Sequence, residues 1–308
     1  MKNVLEWLEA TVAKYPDKPA FSDTESSITF RQVYDIARNT GAYLVEQLGV
    51  DRTPVAVFAG RKMVTPAYFL GVVYAGRPYA PIDASLPDKR IEKILENLCP
   101  RAIVADRESL EHVENIVDEL AKAEGFNRPQ IFIAEDISRF EQVACADSNC
   151  KISESAGDAV TDSENDTDGG VVAGCAGKTD DSSLEELATV RRQMSMTDPL
   201  YIIYTSGSTG NPKGVMTSHL SLMTYINAYC DVMHIECDDV LGNQSPLDYI
   251  AAIRDIYLPL KTGCSTAIIP KEYFMEPNAL FDYMNEKKVS SVGWSVSAFT
   301  ILTSLGAF

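Results

Sequence analysis

The residues with the clearest chemical potential lie in one stretch of the chain, Tyr204–Gly214, with the sequence Tyr-Thr-Ser-Gly-Ser-Thr-Gly-Asn-Pro-Lys-Gly. Its glycines allow the backbone to approach a ligand closely, and successive backbone N–H groups in such a loop form an anion-binding concavity. Side-chain donors that would supplement the backbone are Thr205, Ser206, Ser208, Thr209 and Lys213. The apolar run 200–203 predicts a buried strand just before the stretch. We therefore interpret it as a triphosphate-binding loop rather than a flexible linker.

The loop is not that of a P-loop NTPase. A Walker A loop ends in Gly-Lys-Ser/Thr, whereas here Pro212 precedes Lys213 and Gly214 follows it. An unrelated P-loop NTPase is therefore rejected.

The stretch resembles the phosphate-loop signature of the adenylate-forming superfamily, which comprises acyl-CoA synthetases, luciferases and the adenylation domains that load carrier proteins. Residues 75–83 (Ala-Gly-Arg-Pro-Tyr-Ala-Pro-Ile-Asp) and 86–91 (Leu-Pro-Asp-Lys-Arg-Ile) resemble a block of its amino-acid-activating members, and residues 27–33 resemble an earlier family segment. Residues 243–246 and 294–299 are most similar to D-alanine–carrier protein ligases. The likeness covers nearly the whole chain except about residues 136–190.

This resemblance implies a reaction in which ATP, with Mg²⁺, activates a carboxylic acid as an acyl-adenylate and releases pyrophosphate. The acyl group would then pass to the phosphopantetheine thiol of a carrier protein, with coenzyme A as the alternative acceptor. By motif match, Thr205 and Ser206 would contact ATP directly. The residues that would hold the β- and γ-phosphates are Gly207, Ser208, Thr209, Gly210 and Lys213. No metal ligand is assigned.

The substrate pocket departs from the amino-acid-activating pattern Phe-Asp-x-Ser, whose Asp pairs with the substrate ammonium. Matching this pattern to the chain places Tyr249 at the Phe and Ile250 at the Asp. Either Asp248 takes over the role through a local shift, or the substrate has no α-amino group; the sequence alone favours the second, because a buried ammonium facing Ile250 would be unpaired. A plain core position for Ile250 is compatible with that interpretation.

His219 is a further candidate pocket residue, because some relatives have a histidine near the acyl pocket at this point. The alternative is a polar surface or capping residue at the start of a helix predicted over 218–230, with Ser218 as its N-cap.

Helical and strand patterns alternate along the chain and predict an α/β fold of stacked βαβ subdomains, with mostly parallel sheets covered by helices. We predict a first subdomain over 1–137, an acidic disordered insertion over 138–190, and the start of a second subdomain over 191–308. Between Asp147 and Glu186, eleven acidic residues face only two lysines. Such a segment buries too little apolar surface to order itself; a docking tail for a basic partner is the alternative.

Charge and composition exclude several classes of protein. The formal net charge of −17 argues against nucleic-acid and anionic-membrane binding. Seven scattered cysteines without Cys-x-x-Cys spacing argue against a disulfide framework or zinc site. Neither a signal peptide nor a membrane span is evident, and a cytoplasmic location is expected.

Several family segments have no counterpart in these 308 residues. They are the Tyr-Gly-Pro-Thr-Glu and Thr-Gly-Asp segments, the hinge and the C-terminal domain with the catalytic lysine. We therefore expect a chain that is incomplete at its C-terminus, with no catalytic residue assigned. The alternative to a ligase is a catalytically inactive product that binds ATP or a partner without turnover.

Overall fold

The structure is a computed structural model that describes residues 2–139, 181–206 and 210–307. Its helices are Leu5–Lys14, Phe30–Leu48, Thr65–Tyr74, Asp88–Leu98, Leu110–Leu120, Ala134–Arg139, Asp181–Gln193, His219–Met233, Ala252–Thr262, Pro277–Glu286 and Val296–Ser304, with a 3-10 turn at Lys271–Met275. Its strands are β1 (Pro19–Ser22), β2 (Ser27–Thr29), β3 (Val55–Phe58), β4 (Tyr79–Ile82), β5 (Ala102–Ala105), β6 (Gln130–Ile133), β7 (Pro199–Ser206), β8 (Pro212–Ser218), β9 (Val240–Asn243), β10 (Ser265–Ile268) and β11 (Ser291–Val292).

The strands of the described residues form two sheets, both mainly parallel. The larger sheet has the order β6-β5-β3-β4-β7-β8, in which only β7 and β8 pair in the antiparallel direction. The smaller sheet has the order β11-β9-β10-β1-β2, in which only β1 and β2 are antiparallel. The predicted α/β class with mostly parallel sheets is therefore confirmed.

The sheets cut across the predicted division into 1–137 and 191–308. β1 and β2 lie in the smaller sheet beside β10, and β7 lies in the larger sheet beside β4. Strand partners are chosen by long-range packing, which a local pattern of apolar residues does not encode. The boundaries drawn from the sequence therefore separate strands that the fold brings together.

The centre of the larger sheet is covered on both faces. Every residue of β3, β4 and β5 is buried, which is the pattern expected of parallel strands under helices. On one face lies the helix Asp88–Leu98, which buries Ile91, Ile94, Leu95 and Leu98. This spacing turns its charged residues away from the sheet.

Several helix ends follow directly from the sequence. Thr29 caps the helix Phe30–Leu48 with a capping box: its side chain accepts from the N–H of Gln32 at 3.2 Å, and its own N–H donates to Gln32 Oε1 at 2.9 Å. Ser218 accepts from the N–H of Ser221 at 3.3 Å. The predicted cap Ser218 is therefore confirmed.

The helix Asp181–Gln193 enters the range assigned to the acidic insertion. Its residues Leu187 and Val190 are each only 3% exposed, and a Cβ on Gly76 would lie 2.6 Å from Val190 Cγ1. Close packing against the body of the protein therefore makes the end of the 138–190 range part of the fold. Residues 140–180 of the predicted insertion lie outside the described residues.

Candidate functional site

The predicted phosphate loop connects two strands of a hairpin. β7 and β8 pair from Pro199 to Ser218, with Thr205 opposite Lys213 and Ser206 opposite Pro212. Side chains of directly opposed residues project from the same face, so Lys213 and Thr205 share one face of the hairpin. Gly210 has φ +78°, a left-handed conformation that suits glycine. The predicted ligands Gly207, Ser208 and Thr209 lie outside the described residues.

A cleft of about 580 Å³ opens beside the end of β7. Tyr204, Thr205 and Ser206 line it from the hairpin, and Asp83 lines it from the segment after β4. Its remaining lining residues are Pro81, Ile82, Leu86, Arg90, Ile94, Pro246, Asp248 and Tyr249. The carboxyl ends of two parallel strands, β4 and β7, thus meet the segment that follows β9, which is where open α/β sheets bind ligands.

The cleft contains some of the predicted residues and excludes others. Thr205, Ser206, Asp248 and Tyr249 line it together. Ile250 is not among its lining residues and is 50% exposed, so the alternative of a core position is wrong for this residue. Two residues separated by more than forty positions, Ser206 and Asp248, therefore share one cavity.

Two carboxylates meet at the end of the cleft. Asp83 and Asp248 line both the cleft and an adjoining cavity of about 40 Å³, to which Arg61 also contributes. Burial raises the pKa of Asp248, the Asp83 carboxylate raises it further, and Arg90 acts in the opposite direction. A neighbouring cation would relieve this repulsion.

A hydrogen-bonded network extends from the small cavity to the smaller sheet. Arg61 Nη2 donates to Asn243 Oδ1 at 3.0 Å, and Asn243 Nδ2 donates to Asp255 Oδ2 at 3.0 Å. Arg254 binds Asp255 through two bonds of 2.7 and 3.2 Å, and Arg254 Nη2 also donates to the carbonyl of Gly293 at 2.9 Å. The network links Arg61 in the small cavity to the smaller sheet, so that the two sheets hold the cleft jointly.

A comparison with known families identifies the family of the chain. The family model described as AMP-binding enzyme matches residues 8–308.

The chain belongs to the AMP-binding enzyme family.

Relatives within this family are distant and longer. The chain is 26% identical over 284 residues to a D-alanine–D-alanyl carrier protein ligase of Bacillus licheniformis, a match that covers 91% of this chain and 46% of the relative. A Bacillus velezensis protein of the same name is 25% identical over 277 residues, with 89% and 44% covered. The chain therefore spans about half the length of the ligases it matches.

Solved structures share the fold at low identity. VinN in complex with L-aspartate has a TM-score of 0.71 at 15% identity, covering 99% of this chain and 66% of that one. The N-terminal subdomain of Klebsiella oxytoca NpsA, in complex with 3-hydroxybenzoyl-AMSN, has a TM-score of 0.68 at 17% identity, covering 99% and 63%. These likenesses show that the chain shares the fold of these proteins.

His219, predicted as a pocket or surface residue, occupies neither place. It is 1% exposed and is absent from the lining of the cleft. Its Nδ1 accepts from the N–H of Val4 at 3.5 Å. Burial lowers the pKa of His219 to about 4, and Asp198 only partly opposes this effect, so the ring is neutral at pH 7. His219 is therefore a core residue under the N-terminal helix.

Two members of the cleft, Asp83 and Arg90, were not assigned as site residues from the sequence. Both lie in the block at 75–91 that carries part of the family resemblance. Asp83 follows β4 directly, at the carboxyl end of a parallel strand. Ligands bind at such ends in open α/β sheets, so this position could have indicated a site residue.

Two further findings concern metals and membranes. Within residues 2–139, 181–206 and 210–307, no group of three or more His, Cys, Asp or Glu side chains is placed to hold a metal ion. Among the helices of these ranges, none combines the length and hydropathy of a membrane span.

Proposed function

We propose that the cleft binds ATP and a carboxylic acid, so that the acid carboxylate attacks the α-phosphate and forms an acyl-adenylate. The observation that carries this proposal is the common cavity of Thr205 and Ser206 with Asp248 and Tyr249. Hydroxyl and backbone donors of the hairpin suit phosphate oxygens, and the segment after β9 provides a mixed polar and apolar wall for an acid. In this reaction, most of the rate enhancement comes from positioning of the reactants and electrostatic stabilisation of the transition state.

The cofactor and the acceptor belong to the same proposal. Mg²⁺ supplies neutralisation of phosphate charge and commonly uses substrate phosphates and water as ligands. The names of the Bacillus ligases support a carrier protein as the acceptor of the activated acid, with coenzyme A as the alternative.

We also propose that the acid has an amino group and that Asp248 binds it. Asp83 and Asp248 present two carboxylates to a cavity of about 40 Å³, which is large enough for a small polar group. Ile250, which stands at the family's Asp position, lies outside that lining. Of the two alternatives left open by the sequence, this arrangement favours the shift of the role to Asp248.

Calorimetric titration of ATP into the 308-residue chain tests the proposal, together with ATP–pyrophosphate exchange in the presence of single acids. We expect saturable ATP binding that Ser206→Ala weakens about tenfold or more, the loss expected for one hydrogen bond to a charged group. Thr300→Ala, which removes an exposed hydroxyl far from the cleft lining, is the matched control.

The outcomes separate the two candidate functions. ATP binding with acid-dependent exchange supports the ligase. ATP binding without exchange for any acid supports the alternative of a nucleotide-binding protein without turnover. Wild-type protein that binds no ATP contradicts both.

A further inference from the structure

A second groove lies along the helix His219–Met233, apart from the cleft. Its volume is about 470 Å³, and the N-terminal helix Leu5–Lys14 and the end of the helix Ala252–Thr262 also border it. Its lining residues are Trp7, Met196, Leu220, Met223, Thr224, Asn227 and Lys261. These residues are all different from those described as lining the cleft, and a volume of this size is typical of small-molecule sites. The groove is therefore a separate space that the proposed function does not use.

The groove is apolar at one end and polar at the other. The residues that the helix His219–Met233 contributes occupy positions 220, 223, 224 and 227, which share one face of a helix and form a stripe about 10 Å long. At its first end, the N–H of Leu220 donates to the carbonyl of Met196 at 2.8 Å, so these two residues are neighbours. At its other end, Lys261 Nζ donates to Asn227 Oδ1 at 2.5 Å. A ligand lying along the stripe would thus contact apolar side chains with one end and a cation with the other.

Large apolar side chains are only partly covered at the apolar end. Met196 is 39% exposed and Leu220 is 44% exposed, whereas Trp7 and Met223 line the groove while being largely buried. Methionine side chains adapt to ligands of irregular shape, and burial of apolar surface is favourable by about 25 cal/mol per Å². An apolar ligand chain that covered Met196 and Leu220 would gain this stabilisation.

Lys261 is the only charged residue among those described as lining the groove. Its ammonium has neutral neighbours: it donates to Asn227 and lies 5.9 Å from the centroid of the Trp7 ring. It also bonds to the thiol of Cys230, whose pKa is raised by burial. No carboxylate of the described residues pairs with it. An ammonium has three N–H donors, so Lys261 can bind an anion without giving up the bond to Asn227.

We propose that this groove binds a monocarboxylic acid with an apolar chain, of the class of medium-chain fatty acids. The carboxylate pairs with Lys261, and the amide of Asn227 has N–H donors for the second carboxylate oxygen. The chain lies along the stripe and covers Met196 and Leu220. A single lysine at one end suits a single carboxylate, and the apolar other end disfavours a second charge. The inference is independent of the proposed function, because groove and cleft share no described lining residue.

Calorimetric titration of the 308-residue chain with octanoate, octanol and acetate tests the inference. Octanol has the apolar chain without the charge, and acetate has the charge without the chain. The variants are Lys261→Gln, Lys261→Arg and Leu220→Asp, and thermal melting verifies that each is folded. Lys122→Gln and Val232→Asp are the matched controls, because Lys122 and Val232 are 68% and 73% exposed and lie outside the lining of the groove.

We expect octanoate to bind more tightly than octanol or acetate. Lys261→Gln should weaken octanoate binding about tenfold or more, the loss of one charge-assisted hydrogen bond, and should leave octanol binding within twofold of wild type. Lys261→Arg keeps the charge and should lose less.

Leu220→Asp should weaken the binding of both octanoate and octanol about tenfold or more, because it replaces an apolar contact by a carboxylate. Since Leu220 is exposed, its replacement keeps the test valid even if Lys261 variants unfold. Both control variants should bind octanoate as wild type does. ATP binding should be unchanged in every variant, so failure of this inference is distinguishable from failure of the proposed function.

Three results overturn the inference. If folded wild type shows no saturable octanoate binding, the groove is not an acid site, and an apolar protein segment becomes the better candidate for its occupant. Octanoate affinities of Lys261→Gln and Leu220→Asp that equal wild type place the acid elsewhere, for instance in the cleft. Weakening by Leu220→Asp alone would show an apolar site that does not select a carboxylate.

Discussion

The ring of Tyr204 lies against Gly214, its cross-strand partner in the β7–β8 hairpin. A Cβ on Gly214 would come within 3.1 Å of Tyr204 Cζ and within 2.9 Å of Ile202 Cγ2. The Tyr204 hydroxyl donates to Asn97 Oδ1 at 2.8 Å, and burial raises the pKa of Tyr204 to about 12. The last glycine of the phosphate motif therefore makes room for a tyrosine that ties the hairpin to the helix Asp88–Leu98.

Gly214→Ala should displace Tyr204 and lower the free energy of unfolding by about 1–3 kcal/mol, the usual cost of overpacking. It should also weaken ATP binding, because Tyr204 precedes Thr205 and Ser206. Tyr204→Phe, which keeps the ring and removes only the bond to Asn97, should cost about 1 kcal/mol. Urea unfolding and ATP titration measure both effects; equal stability of Gly214→Ala and wild type would contradict the packing argument.

Asp248→Asn should weaken the binding of an amino acid, such as D-alanine, measured in the presence of saturating ATP. Loss of a charge-assisted bond predicts a decrease of about tenfold or more. Binding of the matching hydroxy acid, lactate, should change little. Asp118→Asn serves as the control, because Asp118 is exposed and pairs with Arg128. Equal losses of affinity for both acids would show that Asp248 does not bind the amino group.

The same substitution should stabilise the ligand-free protein at neutral pH. A carboxyl whose pKa is raised in the folded state binds its proton more tightly there than in the unfolded chain. Stability therefore falls as the pH rises from the ordinary aspartate range through the raised value. Asp248→Asn removes that loss, and a melting temperature about 1–3 °C above wild type at pH 7 is expected, with no gain at pH 4. A lower melting temperature at pH 7 would be incompatible with the repulsion between Asp83 and Asp248.

The buried neutral ring of His219 should account for part of the loss of folding stability at acidic pH. Its pKa is lowered from an ordinary 6.5 to about 4, so the unfolded chain binds a proton between these values and the folded chain does not. The free energy of unfolding therefore falls by about 2–3 kcal/mol as the pH drops from 7.5 to 4.5.

In His219→Asn this part of the pH dependence should disappear, whereas ATP binding at pH 7 should persist because His219 is outside the cleft. His234→Asn is the matched control: His234 is exposed and adopts φ +53°, which asparagine tolerates. Urea titrations at several pH values make the comparison. A pH profile of His219→Asn that follows wild type would argue against the buried neutral ring.

Gly293→Ala should break the network that joins Arg61 to the smaller sheet. A Cβ there would lie 1.9 Å from Arg254 Nη1, so Arg254 must move and leave Asp255, which is 3% exposed, without its ion-pair partner. Breaking a buried ion pair costs about 3–5 kcal/mol. Gly60→Ala, whose Cβ would have only ordinary contacts from 3.4 Å outward, should cost far less; chemical denaturation of the two variants compares them.

The elements and their ends were largely readable in the sequence. The helix Phe30–Leu48 begins at Thr29 and the helix Ala252–Thr262 ends at Gly263, because caps and left-handed glycines act within a few residues. The phosphate motif could be recognised in the sequence for the same reason, because its donors are consecutive along the chain. The strand β8 was missed, because its residues 212–214 belong to the glycine-rich stretch that was interpreted as a loop.

The site itself was only partly predictable. Thr205, Ser206, Asp248 and Tyr249, which the family resemblance rather than any local pattern proposed as site residues, line one cleft. Asp83 and Arg90 were missed as members, and His219 was placed near a pocket from which its burial excludes it.

The sequence by itself thus determined most of the helices and strands and indicated the loop to which we assign phosphate, because these properties depend on neighbours in the chain. Only the tertiary structure decided that β1 pairs with β10 and that β4, β7 and the segment after β9 converge on one cleft. Those pairings depend on burial of apolar surface between segments far apart in sequence. The same long-range packing places Arg90 in the lining of the cleft and buries His219 in the core.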